Sequence, residues 1–273
     1  MTHTPKKSQR ADRDLTQVKK GKSHLRSNRV LDHFHEVLKK HEAGYFVLID
    51  PEQCEVEKCA KLAREVERAG ADAILLGGSF LTNDLDPIAK TLKQETELPV
   101  VLFPGDSMHL TPYADAILYI SLISGRNPSY LIGEQVKAAP WIQRYALEPI
   151  PTGYMLIEGG NSRTTVEFMS GTIPIPRDKS DIAGPHALAA EYLGMQMVYL
   201  EAGSGASHPV PDEMISTVKA QINIPLIIGG GIRTPKIAAE KVAAGADFIV
   251  TGNVLEENGS FELMKAFAEA VHS

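Results

Sequence analysis

The chain has 273 residues, 43% of them hydrophobic, and a formal net charge of -6. It can bury one large core, and its charge argues against a protein that mainly binds nucleic acid. No apolar run approaches the roughly 18 residues that span a bilayer, and no signal-peptide pattern is present. The two cysteines, Cys54 and Cys59, fall five apart on one predicted helix. That is a poor arrangement for a disulfide and far short of a zinc site, so a reducing cytoplasmic setting is the expectation.

Residues 1–27 carry Lys6, Lys7, Arg10, Arg13, Lys19, Lys20, Lys22 and Arg26 against Asp12 and Asp14, with few large apolar residues. They read as a basic, solvated, partly disordered extension. A sharper reading, attraction to an anionic membrane surface or an acidic substrate, has no specific support in the segment. From residue 28 onward the pattern becomes that of one folded domain running to residue 273.

Val30, Leu31, Phe34, Val37 and Leu38 recur at helical spacing, which predicts an amphipathic helix over 28–41 that can cap the bottom of a barrel. Short apolar runs then predict strands at 45–49, 73–76, 100–103, 116–120, 155–157, 197–200, 225–228 and 248–250. Helical patterns separate most of them, at 55–68, 86–95, 129–148, 185–193, 211–221, 235–244 and 261–271. Eight strands alternating with helices imply a parallel sheet, and eight of them favour a closed (β/α)8 TIM barrel of the α/β class. One unit is irregular. Between Phe103 and Ala116 the chain has Pro104, Gly105 and Pro112 and too little length for a full helix. The third outer helix is therefore expected to be missing or vestigial, leaving either an apolar gap that can receive a ligand or a gap covered by a loop.

The last three strands end in runs of very small residues: Glu201-Ala202-Gly203-Ser204-Gly205, Gly229-Gly230-Gly231 and Thr251-Gly252-Asn253. Glycine lets the backbone approach a ligand and turn its N–H groups towards an anion. Three such turns at the ends of consecutive strands predict a phosphate cradle at the C-terminal mouth.

Glu201 closes the sixth strand beside residues that leave room around it, so it is placed to take a proton from a substrate hydroxyl. Tyr199 points the same way two residues earlier and is either a donor to substrate or barrel packing. Asp50 closes the first strand, with Pro51 behind it. One carboxylate suffices for Mg2+ when waters and substrate phosphates supply the other ligands. Ser79, ending the neighbouring strand, offers a hydroxyl. The alternative for Asp50 is a turn or helix cap. Arg177-Asp178-Lys179 can reach polyphosphate oxygens but reads more simply as a solvated loop cluster. Trp141 and Tyr145 read as packing or a subunit contact.

These strings resemble the geranylgeranylglyceryl phosphate synthase family, including its heptaprenylglyceryl phosphate synthase relatives. The resemblance rests on Tyr199 to Gly205 as YLEAGSG, Gly229 to Arg233 as GGGIR, and Thr251-Gly252-Asn253. Ile49-Asp50-Pro51, Gly77-Gly78-Ser79, Ile175 to Lys179 and Ala189 to Met195 extend it from about residue 28 to the C-terminus. It implies ether-bond formation between the 3-hydroxyl of sn-glycerol 1-phosphate and a polyprenyl diphosphate, with Mg2+. By position it implies Asp50 and Ser79 as metal ligands. Tyr199, Leu200, Glu201, Ala202, Gly203, Ser204, Gly205, Gly230, Gly231, Gly252 and Asn253 would form the glycerol-phosphate site, with Glu201 and Asp50 catalytic. The family tends to lack the third helix, in keeping with the short unit, and its prenyl chain lies in an apolar groove there. Where family members often have two aspartates around the proline, this chain has Asp50-Pro51-Glu52. A homo-oligomer, a dimer or larger, and at most peripheral membrane contact are expected. Rival readings are an isomerase or lyase barrel, against which the absence of a strand-end lysine counts, a flavin-binding barrel, and a non-catalytic phosphate-binding barrel.

Overall fold

The computed structural model describes residues 29–160, 163–252 and 261–273. The basic extension drawn at residues 1–27 lies outside the described residues. Eight strands form a closed barrel in sequence order, every neighbouring pair parallel. They are β1 Gly44–Ile49, β2 Ala73–Gly78, β3 Val100–Pro104, β4 Ala116–Leu122, β5 Glu148–Leu156, β6 Met197–Glu201, β7 Leu226–Gly229 and β8 Phe248–Thr251. The surrounding helices are α2 Val56–Ala69, α3 Asp86–Glu95, α4 Glu134–Tyr145, α5 Thr165–Ser170, α6 Ser180–Tyr192, α7 Asp212–Lys219, α8 Pro235–Ala243 and α9 Phe261–Val271.

Helix α1, Arg29–His41, closes the N-terminal end of the barrel. Its apolar stripe buries Val30, Leu31, Phe34 and Val37, and the Phe34 ring lies 4.7 Å from that of Phe46 and 5.5 Å from that of Phe248. The Glu148 carboxylate, at the start of β5, accepts hydrogen bonds from the Val30 and Leu31 N–H groups at 2.9 Å each. An anion at the first turn satisfies donors that have no partner within the helix. Alternating residues of the strands divide the core in two. Leu75, Val101, Leu118 and Ile227 fill the barrel with α1, while Ile74, Leu102, Leu200 and Ile228 pack outward against the helices.

No helix joins β3 to β4 among the described residues, as the shortness of that segment predicts. Local bonds fasten the connection instead. The Gly105 N–H donates to His109 Nδ1 at 3.0 Å, and Asp106 Oδ1 accepts from the Met108 N–H at 2.7 Å. Asp115, just before β4, accepts from the Val100 N–H and from Lys93 Nζ on α3.

Four expectations need correction. The fifth strand begins at Glu148, not at 155, and the helix drawn over 129–148 is a π-helical stretch, Ser129–Gly133, followed by α4, which ends at Tyr145. Pro149 and Pro151 disguise the strand, since neither has an N–H for a ladder. Both face the β6 edge, where the Pro151 carbonyl accepts from the Gln196 N–H, and β6 pairing begins only at Thr152 opposite Met197. The missing donors thus fall where β6 has not yet started. Helix α6 begins at Ser180 and runs through Pro185 rather than starting there. A short extra helix, α5, is capped by Thr164, whose Oγ1 accepts from the Glu167 N–H at 3.1 Å. Finally, Cys54 and Cys59 form a disulfide. Cys54 precedes α2 instead of lying on it, so the turn at Glu55 brings the two Cα atoms to 5.8 Å, within bridging range. No described helix is long and apolar enough to cross a membrane.

Candidate active site

The C-terminal ends of β6 and β7 place a carboxylate and a phenol in one space. Glu201 ends β6 and is 7% exposed, and its Oε1 accepts from the Gly203 N–H at 2.7 Å. The Tyr199 hydroxyl, from the same face of β6, hydrogen-bonds to the Glu201 carboxylate. Glycine on β7 makes the room. A Cβ on Gly229 would crowd the Tyr199 hydroxyl and lie 2.8 Å from Glu201 Oε2, and one on Gly230 would strike Glu201 Oε1. Gly230 and Gly231 have φ of 80° and 71°, left-handed values that side chains rarely adopt.

Burial pushes the Glu201 pKa up to about 7, and the Gly203 N–H and Tyr199 hydroxyl hold it from going higher. A carboxylate so poised can take a proton near neutrality. Burial, with the Glu201 charge adding to it, raises the Tyr199 and Tyr154 hydroxyls well above the usual phenol value, so both stay protonated.

Tyr154 and Phe103 belong to this space and were not singled out in the sequence. The Tyr199 ring stacks 5.4 Å from Tyr154 and 5.3 Å from Phe103. Tyr154 pairs directly with Tyr199 in the β5–β6 register. Starting the fifth strand at Glu148 would have placed it there. The remaining members of the predicted phosphate site divide. Leu200 and Ala202 turn their side chains into the outer core, so only their backbone faces the loop. Gly203 and Gly205 are left-handed, with φ of 103° and 69°, and Ser204 and Gly205 are exposed. Arg233 donates to the Gly205 and Ala206 carbonyls at 3.3 Å each and ties the β7 turn to the β6 turn. Gly252 follows β8 directly, beside Leu48. Asn253 lies outside the described residues. Arg177 donates to the Glu158 and His208 carbonyls, so its role here is to join two mouth loops.

On the opposite side, Asp50 follows β1 and Ser79 follows β2, on adjacent strands. Asp50 is half-buried. Burial raises its pKa, the Glu52 N–H at 2.9 Å from Oδ1 offsets this, and the Glu52 charge adds to the rise. Gly78 leaves space here, since a Cβ on it would contact both carboxylate oxygens at 3.6 Å. The Glu52 carboxylate is held below the usual carboxylate range by the Thr82 and then the Asn83 backbone N–H groups. No group of three or more His, Cys, Asp or Glu among the described residues forms a metal cage. One partly desolvated carboxylate, with a serine at the end of the adjacent strand, fits Mg2+, which keeps waters and phosphate oxygens as its other ligands.

An apolar groove passes through the gap left by the absent helix. It runs from Ser79 and Phe103 past Tyr154 to Leu122, Ala138 and Met169. Trp141 lies outside it, 44% exposed on α4, with the Arg144 guanidinium over its ring, 5.4 Å from the centroid.

The chain matches known proteins over this whole barrel. The PcrB family matches residues 35–271. A geranylgeranylglyceryl phosphate synthase of Thermococcus gammatolerans is 46% identical over 251 residues, covering 91% of this chain and 98% of its own. One from Chitinophaga pinensis is 46% identical over 247 residues, covering 90% and 97%. The crystal structure of (S)-3-O-geranylgeranylglyceryl phosphate synthase from Thermoplasma acidophilum in complex with sn-glycerol-1-phosphate superposes with a TM-score of 0.82 at 37% identity. It covers 88% of this chain and 98% of that one. With its fold, its mouth and its sequence in agreement, the chain belongs to the PcrB family and is a prenyl-group transferase like the geranylgeranylglyceryl phosphate synthases it matches.

Proposed function

We propose that this transferase joins the 3-hydroxyl of sn-glycerol 1-phosphate to a polyprenyl diphosphate through an ether bond and releases diphosphate. The observation that carries the reading is the buried Glu201–Tyr199 pair between glycine turns, beside an apolar groove lined by Ser79 and by Tyr154, whose ring stacks on Tyr199. The substrate in the Thermoplasma acidophilum structure supports the phosphate half of the reading.

The left-handed turns after β6 and β7 hold the phosphate, leaving the glycerol hydroxyl near Glu201. An allylic diphosphate ionises when its C–O bond breaks, because the cation is delocalised. The electron pair leaves with the diphosphate. Asp50 and Ser79 would hold Mg2+, which neutralises charge on the departing group. Phe103 and Tyr154, which line the groove, offer π density to the developing cation. As the hydroxyl oxygen bonds to the allylic carbon, Glu201 receives its proton. The groove's apolar wall keeps water, the competing nucleophile, away from the cation.

The test is turnover of labelled sn-glycerol 1-phosphate with a series of prenyl diphosphates and Mg2+. An ether product that disappears in Glu201→Ala and in Asp50→Ala supports the reading. Tight glycerol-phosphate binding without product from any partner leaves a phosphate-binding barrel of another use.

A further inference from the structure

Glu52 makes more of its surroundings than a solvated loop carboxylate does. Its Oε1 accepts from the Thr82 and Asn83 backbone N–H groups, the latter at 2.9 Å, and from Thr82 Oγ1 at 3.1 Å. Its Oε2 accepts from Asn83 Nδ2 at 2.9 Å. These donors all belong to the loop after β2, which begins with Ser79. The Glu52 N–H donates at 2.9 Å to Asp50 Oδ1, in the loop after β1. One residue therefore grips the loop of Ser79 with its side chain and the carboxylate of Asp50 with its backbone.

The geometry has a consequence for Asp50. Its Oδ1 is engaged by the Glu52 N–H, and both carboxylate oxygens face the space beside Gly78, 3.6 Å from where a Cβ there would stand. The Gln53 N–H donates to the Asp50 carbonyl at 3.1 Å and closes the same turn. On the Ser79 side, the Ser79 carbonyl lies so close to Gly105 that a Cβ there would collide with it, so the β2 loop is pressed from behind by the β3 loop. The β2 loop is thus held between Gly105 and the Glu52 carboxylate.

We infer that Glu52 is a positioning residue, a clasp that sets the Asp50 carboxylate and the Ser79 loop at the spacing required to bind a divalent cation together with diphosphate. The inference rests on the proposed function for the kind of ligand. Glu52 itself touches neither substrate nor the reacting atoms. Partners that orient metal ligands typically contribute 10- to 100-fold in metal affinity or activity, a scale suited to a clasp of this kind. Length and hydrogen-bond acceptance matter more than charge. An aspartate here has one methylene fewer between the backbone that serves Asp50 and the carboxylate that serves Thr82 and Asn83.

The test titrates Mg2+ with inorganic diphosphate into the full chain by calorimetry, with sn-glycerol 1-phosphate titrated separately, in the parent, Glu52→Ala and Glu52→Gln. The expected result is about 10- to 100-fold weaker Mg2+–diphosphate binding in Glu52→Ala with glycerol-phosphate affinity unchanged. Glu52→Gln, whose amide oxygen still accepts from both backbone N–H groups, should recover most of the loss. Hydrogen exchange should rise at residues 79–85 in Glu52→Ala and stay low elsewhere at the mouth. Parent-like Mg2+–diphosphate binding in Glu52→Ala overturns the inference. So does an equal loss of both ligands, which marks general loosening, or a parent that does not bind Mg2+ with diphosphate. A parent that binds both ligands yet forms no ether refutes the proposed reaction while the clasp is still read by calorimetry.

Discussion

Tyr199 donates to Glu201 from two residues earlier on the same strand, and both groups occupy the space that Gly229 and Gly230 leave open. The hydrogen bond holds the buried carboxylate closer to ionisation than burial alone would allow. On the proposed mechanism Glu201 must be ionised to take the proton, so kcat should fall as pH drops through about 7. Tyr199→Phe removes a bond that favours the charged form and should move this limb to higher pH, by about half a unit to one unit for a bond of ordinary net strength. A limb that stays in place or moves to lower pH contradicts the coupling. Glu201→Gln should lower kcat by about 10²- to 10⁴-fold, the usual range for a general base.

The same raised pKa makes a separate claim about stability. The folded chain keeps the Glu201 proton to about pH 7, against 4.5 for the ordinary carboxyl. Its contribution is fully present below about pH 4.5 and is lost as pH rises through 7, amounting to about 3 kcal/mol in order of magnitude. Glu201→Gln is neutral at all pH values. Its melting temperature relative to the parent should therefore improve between pH 5 and pH 8. A constant difference across that range would show that the side chain does not titrate as its burial requires.

Asp50→Asn keeps the size and an acceptor for the Glu52 N–H but removes the charge. It should weaken Mg2+ dependence and lower turnover at least about tenfold, while sn-glycerol 1-phosphate binding, on the other side of the mouth, stays as in the parent. Chelation of Mg2+ should abolish turnover in the parent with the same retention of glycerol-phosphate binding. Equal activity with and without chelator would remove the metal from the account.

Ala138 lines the groove from α4 and is buried. Ala138→Phe should block the far end of the groove and shift preference towards shorter prenyl diphosphates, with loss of at least about tenfold in kcat/KM for the longest accepted partner. Loss of about one bound isoprene unit's apolar contact is enough for that factor. Uniform loss across all lengths would point to a distorted helix instead of a shortened groove.

Far from the chemistry, Glu148 caps the first turn of α1 at the barrel floor. Glu148→Ala should cost about 1–2 kcal/mol in denaturant unfolding and leave KM for both substrates unchanged. An unchanged unfolding midpoint would mean that the floor helix does not depend on this contact.

The barrel was legible in the sequence because eight short apolar runs end in turn residues, and those signals are local. The absent third helix was legible for a related reason, as a segment too short to hold one. The fifth strand was hidden because Pro149 and Pro151 forbid an ordinary ladder, and only the late start of β6 makes them harmless. With the strand misplaced, Tyr154 lost its partner Tyr199 and its place in the aromatic face of the site stayed unseen. Glu52 stood out in the sequence only as the acid after Asp50-Pro51, whereas its hydrogen bonds go to Thr82 and Asn83, about thirty residues on, a pairing that depends on strand adjacency. Cys54 and Cys59 were judged from helical spacing, but Cys54 precedes the helix and the extended backbone at Glu55 sets their separation.

The most direct measurement is the stereochemical one. Purified parent enzyme is given labelled sn-glycerol 1-phosphate or its sn-3 enantiomer with Mg2+ and prenyl diphosphates of increasing length, and the products are resolved after phosphatase treatment. The account predicts an alkali-stable prenyl ether at the 3-hydroxyl from the sn-1 substrate, released diphosphate in equal amount, and no ether when Glu201 is replaced by alanine. Equal reaction of both enantiomers, or product that persists without Glu201, would contradict it.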